Sequence, residues 1–136
     1  MDWKLENIVV PVADVDRAKA FYAEAVGFHV DVDHRAGEDF RVVQLTPPGS
    51  ACSIALMRNE QAPGTLQGLH LVVADIEAAR HRLLDGGVPV SDAYHFESGV
   101  QVEGPDPARA DYGSFLSFSD PDGNGWLVQE VPSRAG

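Results

Sequence analysis

Residues 66–84, LQGLHLVVADIEAARHRLL, repeat the pattern of residues 5–22, LENIVVPVADVDRAKAFY. At an offset of 61 residues Asp75 falls on Asp14, Leu66 on Leu5, Val73 on Val12, Ala74 on Ala13 and Ala79 on Ala18. In each copy an apolar run ends at Val-Ala-Asp and a helical pattern follows. Glycine then closes it, Gly27 in the first copy and Gly86-Gly87 in the second. A repeated unit decides the architecture before any other signal, and two copies are too few for a solenoid. The expectation is two related modules.

In the first module 5–12 reads as a strand rich in Val and Ile, with Pro11 marking its end or an unpaired position. Asp14 is placed to cap a helix by accepting from the first-turn amides. Val15, Ala18, Phe21, Tyr22 and Ala25 make one apolar stripe at helical spacing, and Gly27 closes it in a left-handed conformation. Strands are expected at 28–33, 40–46 and 51–57, with turns at 34–39 and at Pro47-Pro48-Gly49. Residues 1–58 are therefore β-α-β-β-β, and 59–65 form a linker.

The second module, 66–131, repeats that order. A strand at 69–73 leads to Asp75, the cap of a helix with the stripe Ile76, Ala79 and Leu83. Residues 88–96 are strand-like after Pro89, and 97–112 form a long loop rich in Gly, Pro, Asp and Ala, of the kind used for lids and binding loops. Strands at 114–118 and 126–131 flank Asp120-Pro121-Asp122-Gly123-Asn124, a turn by composition. Residues 132–136 read as a frayed tail.

The bulk numbers exclude some functions. At 136 residues the chain suits one domain with its own core. Ten basic against 21 acidic residues give a charge of −11, which repels phosphate backbones and anionic membranes, so neither nucleic acid nor membrane is an expected partner. The single cysteine, Cys52, precludes an internal disulfide and reads as a buried, inert thiol. No apolar run approaches the ~18 residues of a membrane helix. The first residues, MDWKLEN, lack an apolar signal core. The expected location is the cytoplasm. No P-loop, dinucleotide fingerprint, G-x-S-x-G or paired-cysteine motif is present.

The stretches VADVDRAKAFY, GLHLVVADIE and FSDPDGNGW carry a resemblance to the vicinal oxygen chelate superfamily, which includes glyoxalase I, extradiol dioxygenases, fosfomycin-resistance transferases and bleomycin-resistance proteins. The resemblance covers nearly the whole chain and bears on the fold more than on the reaction, because that fold hosts many chemistries. It implies an α+β fold in which two tandem βαβββ modules form an open, barrel-like sheet around a cavity. It also implies where metal ligands stand in the metal-dependent members: seven residues before each helix-capping Asp and three after the Asn of the closing turn. Those positions here hold Asn7, Gly68 and Leu127. Glycine and leucine have no donor, and asparagine offers only a neutral carbonyl oxygen. The expectation is no metal and no other cofactor.

The resemblance, extended along each strand by alternation, implies that Asn7 and Val9, His70 and Val72, Phe115 and Ser117, and Leu127 and Gln129 face the expected cavity, with Tyr94 and Phe96 as further wall. Such a lining, aromatic and apolar with few polar groups, suits a small flat or greasy molecule. His70 is the best candidate for a general base. Tyr94, His95 and Phe96 read as edge packing or pocket wall, Trp126 as core, and Glu130 as a solvated or capping charge. His29, His34 and His81 read as surface residues, and Asp120 and Asp122 as turn residues. The reading is a metal-free binding protein of the bleomycin-resistance type, holding an aromatic or polycyclic ligand. The alternative is a glyoxalase-like lyase, isomerase or dioxygenase, metal-dependent with shifted ligands or metal-free with His70 as base. Open sheet edges and the habit of the superfamily both imply a homodimer.

Overall fold

The structure, a computed structural model, describes residues 1–134. The chain forms two compact units. The first holds Met1–Leu66 together with Asp120–Asn124, and the second holds Gln67–Ser119 and the chain from Gly125 on.

In the first unit the order is β1 (Asn7–Pro11), α1 (Val15–Ala20), a π-helical segment (Phe21–Val26), β2 (His29–Ala36), β3 (Phe40–Thr46) and β4 (Ser53–Met57). The sheet runs β1-β4-β3-β2, with β1 parallel to β4. Val10, Val43, Leu45 and Leu56 are fully buried on one face, as are Ala18 and Tyr22 from the helical segments. Asp14 caps α1, its carboxylate accepting from the Arg17 amide at 3.1 Å. The single α-helix expected up to Gly27 instead widens after Ala20: the Gly27 amide donates to the Tyr22 carbonyl, five residues back. The wider turn accompanies a wholly buried Tyr22, and Gly27 ends it at φ 96°. Strand β2 runs to Ala36, past the expected end, because it zips against β3 as far as Ala36 opposite Phe40. Cys52, expected to be buried, is half-buried ahead of β4.

The Asp120–Asn124 turn belongs to this unit and is held by buried bonds. Asp120 accepts from the amides of Asp122 and Asn124, each at 2.9 Å, from the Tyr22 hydroxyl at 2.8 Å and from the Asn124 side-chain amide at 2.8 Å. Asn124 also donates to the Pro11 carbonyl at 2.9 Å and accepts from the Leu66 amide at 3.2 Å. Gly64 lies so close that a Cβ there would stand 2.0 Å from the Asp122 carbonyl oxygen, and its φ of +81° excludes most side chains anyway.

In the second unit the order is β5 (Leu69–Val73), α2 (Ile76–Asp85), β6 (Tyr94–Glu97), β7 (Val100–Glu103), β8 (Phe115–Ser119) and β9 (Gly125–Glu130). The sheet runs β5-β9-β8-β6-β7, with β5 parallel to β9. Without β7 this is the strand order of the first unit. The two βαβββ modules are therefore present, each with an open sheet. Asp75 caps α2 by accepting from the Glu77 and Ala78 amides. Leu69, Ile76, Leu83, Leu116 and Val128 are buried, and Phe118 stacks on Trp126 at 5.9 Å.

Three expectations are corrected here. Residues 88–96 are not one strand. Only a single bridge, Val90 to Phe118, precedes β6, since Pro89 has no amide to donate. Residues 97–112 are not all loop, because β7 pairs with β6 across a two-residue turn in which Ser98 and Gly99 both have positive φ, 52° and 78°. Pro132–Arg134 form a 3₁₀ turn rather than a frayed end, and the rest of the expected tail lies outside the described residues. No described helix is long and apolar enough to cross a membrane.

Candidate ligand-binding face

Side chains alternate across the five-stranded sheet. Leu69, His95, Leu116, Phe118, Trp126, Val128 and Glu130 are buried on one face. The opposite face carries eight of the ten expected site residues. Register sets His70 beside Leu127, Val72 beside Gln129, Ser117 beside Leu127, Phe115 beside Gln129, and Tyr94 beside Phe115. Phe96 follows two residues after Tyr94 on the same face. Asn7 and Val9 stand on the other sheet, in the other unit, half-buried and paired with Ser53 and Ala55.

Three aromatic rings form the centre of this face. Tyr94 stacks on Phe115 at 5.7 Å, and Phe96 meets them edge-on at 6.0 and 5.7 Å. Phe96 is 52% exposed and Val72 38% exposed. The polar groups are few and placed. The Tyr94 and Ser117 hydroxyls share a hydrogen bond at 3.0 Å, and the Gln129 amide donates to the Tyr112 carbonyl at 2.9 Å. Beside the rings a cleft of about 380 Å³ is bounded by Ser91, Tyr94, Gln101, Glu103 and Ser117. Gln101 and Glu103 come from β7 and were not expected here; the alternation of Val100-Gln101-Val102-Glu103 was the signal that could have found them.

His70 lies exposed on this face with no hydrogen-bond partner among the described residues. The metal-ligand positions hold the amide of Asn7 on β1, Gly68 at φ +81° before β5, and the Leu127 side chain on β9. That donor set does not fit a divalent ion. Among the described residues no three His, Cys, Asp or Glu side chains come together.

Of the two roles expected for Glu130, solvated or capping charge, the structure shows the second: it is fully buried, and its carboxylate caps α2 by accepting from the Ile76 amide at 2.8 Å. Arg109, at a left-handed φ of 48°, grips both carboxylate oxygens. That hydrogen bonding holds the Glu130 carboxyl below its ordinary range against the opposing effect of burial.

His95 is buried beneath the same strand, with Nδ1 donating to the Gly104 carbonyl at 2.6 Å and Nε2 3.6 Å from Glu97. The bond to Gly104 raises its pKa; burial opposes and the Glu97 carboxylate adds to the rise. The folded protein thus holds this proton more tightly than the unfolded chain. The resulting stability is fully present below the ordinary histidine value of about 6.5 and is lost as pH rises through the raised value. An NMR titration is expected to show the His95 ring titrating above that ordinary value. His95→Gln should flatten the pH dependence of stability across the same window.

The description of the Glyoxalase/Bleomycin resistance protein/Dioxygenase superfamily matches residues 4–128. The chain is similar to TnmS3, an antibiotic binding protein from Streptomyces sp. CB03234, with 32% identity and a TM-score of 0.75 over 96% of this chain and 97% of that one. A glyoxalase/bleomycin resistance protein from the same organism is 34% identical, with a TM-score of 0.72 over 93% of this chain and 100% of that one. YetH of Bacillus subtilis is 26% identical over 129 residues, 93% of this chain and 98% of YetH.

Proposed function

The chain belongs to the Glyoxalase/Bleomycin resistance protein/Dioxygenase superfamily, and from that premise we propose that it is a metal-independent binding protein that sequesters an aromatic or polycyclic small molecule. The observation that carries the reading is the packed cluster of half-buried Tyr94 and Phe115 with exposed Phe96 on one sheet face, with Ser117, Gln129 and His70 as its polar rim. The likeness to an antibiotic binding protein supports it. Rings fixed by their neighbours lose little freedom when a flat ligand stacks on them, so they favour tight binding. His70 is read as a ligand contact rather than a base. The open edges of the sheets, β1 and β2 in one and β5 and β7 in the other, support a homodimer. The acidic charge favours neither a nucleic-acid nor an anionic membrane partner, and a cytoplasmic location is part of the same reading.

The test is a fluorescence titration of chelator-treated protein with polycyclic aromatic probes, followed by mass spectrometry of the recovered probe. Binding that survives chelation, with the probe returned unchanged, is expected. Phe96→Ala removes the most exposed ring of the three and should weaken binding by about tenfold, in line with the ~0.5–1.5 kcal/mol of an aromatic pair plus the lost contact area. Conversion of the probe that depends on added metal would instead support an enzyme of the glyoxalase or dioxygenase kind.

A further inference from the structure

We infer that the ligand carries a cationic group, an ammonium or its equivalent, which stands between the Tyr94 ring and the Glu103 carboxylate. The inference rests on the open face being the ligand surface and adds the chemical class of what binds there. Glu103 is the cross-strand neighbour of Tyr94, so the two side chains project from the same face. Together they bound the 380 Å³ cleft at the edge of the aromatic cluster, with Gln101 and Ser117 beside them. Among the described strand residues of this face there is no lysine or arginine. The other carboxylate at the cleft, Asp92, is already paired with Arg80 at 2.9 Å. Glu103 has no ion-pair partner among the described residues.

A carboxylate and an aromatic side chain that bound one cleft from neighbouring strands can receive a cation. The ring quadrupole and the negative charge act on the same group, and the stacked rings receive the rest of a flat molecule. A neutral ligand of the same outline would gain the stacking alone. An anionic one would meet repulsion from Glu103 and from the net charge of −11.

The experiment compares two probes of nearly equal shape: 9-aminoacridine, a flat cation at neutral pH, and acridone, its neutral counterpart. Both are titrated by their own fluorescence against the full chain and its Glu103→Gln and Phe96→Ala variants. The native protein is expected to prefer the cation by about fivefold, a preference that shrinks in high salt because Glu103 is exposed. Glu103→Gln should lose most of that preference while leaving acridone binding within about twofold. Phe96→Ala should weaken both probes alike. Equal affinity for the two probes, or a Glu103→Gln effect equal on both, would overturn the cationic class and leave the aromatic binding face standing. Failure of either probe to bind the native protein would overturn the binding face itself, and this inference with it.

Discussion

Asp120→Ala is expected to lower stability by about 4 kcal/mol, seen as a fall in Tm of roughly 10–15 °C in a thermal melt. Asp120 sits in a turn, where substitutions are ordinarily mild, yet it is 5% exposed and accepts four hydrogen bonds. Two of the donors, the Tyr22 hydroxyl and the Asn124 side-chain amide, belong to residues with no exposed surface. Without the carboxylate they stay buried and lose this acceptor, at about 1–3 kcal/mol each. Asn124 would also lose the anchor that aims it at the Pro11 carbonyl and the Leu66 amide, so the end of β1 loosens with the turn. Asp120→Asn keeps one acceptor and opposes its new amide to the Asn124 amide; about half the loss is expected. A fall of under 1 kcal/mol in Asp120→Ala would show that water replaces the carboxylate easily, against the burial.

Arg109→Ala is expected to cost about 3 kcal/mol, the low end for breaking a buried pair, because Arg109 is itself 39% exposed while Glu130 is wholly enclosed. The substitution leaves a carboxylate in the interior with only the Ile76 amide opposite it. The pH dependence identifies the cause. In the native protein the lowered pKa of Glu130, caused first by its hydrogen bonds to Arg109, gives stability that is fully present above the ordinary glutamate value of about 4.3. That stability is lost as pH falls through the lowered value. Arg109→Ala should lose most of this acid-side dependence, measured by urea unfolding at pH 3–7. Unchanged acid-side behaviour in the variant would mean that Asp75 and Glu77, 3.5 and 3.9 Å from the guanidinium, and not Glu130, are its operative partners.

The duplication and the strand faces were legible because they are local. Val-Ala-Asp at the end of each first strand places a cap, and a period of two assigns faces with no knowledge of the partner strand. That is why His70, Val72, Phe115, Ser117, Leu127 and Gln129, grouped by alternation within their strands, share one face of one sheet. The strand β7 was hidden by its setting. Ser98-Gly99 is a hairpin signal, but the Gly, Pro and Asp that follow at 104–107 gave the whole stretch the composition of a loop. Consequently Glu103 and Gln101 were missing from the expected lining. The burial of Glu130 could not be read at all, since the residues that make it tolerable, Ile76 and Arg109, lie 54 and 21 positions away. The π-helical turn at Phe21–Val26 follows from where Tyr22 must reach, 98 positions along the chain, and a helical stripe carries no sign of it.

The central claim is that the open face of the five-stranded sheet receives an aromatic ligand, and backbone NMR tests it most directly. Amide spectra recorded during titration with 9-aminoacridine, in the presence of a chelator, report which strands feel the aromatic ring current. The account predicts the largest shifts at Tyr94, Phe96, Phe115, Ser117 and Gln129, with α2 little changed. Shifts confined to the α2 surface around Glu77, Arg80 and His81, with the amides of β6, β8 and β9 unmoved, would contradict it.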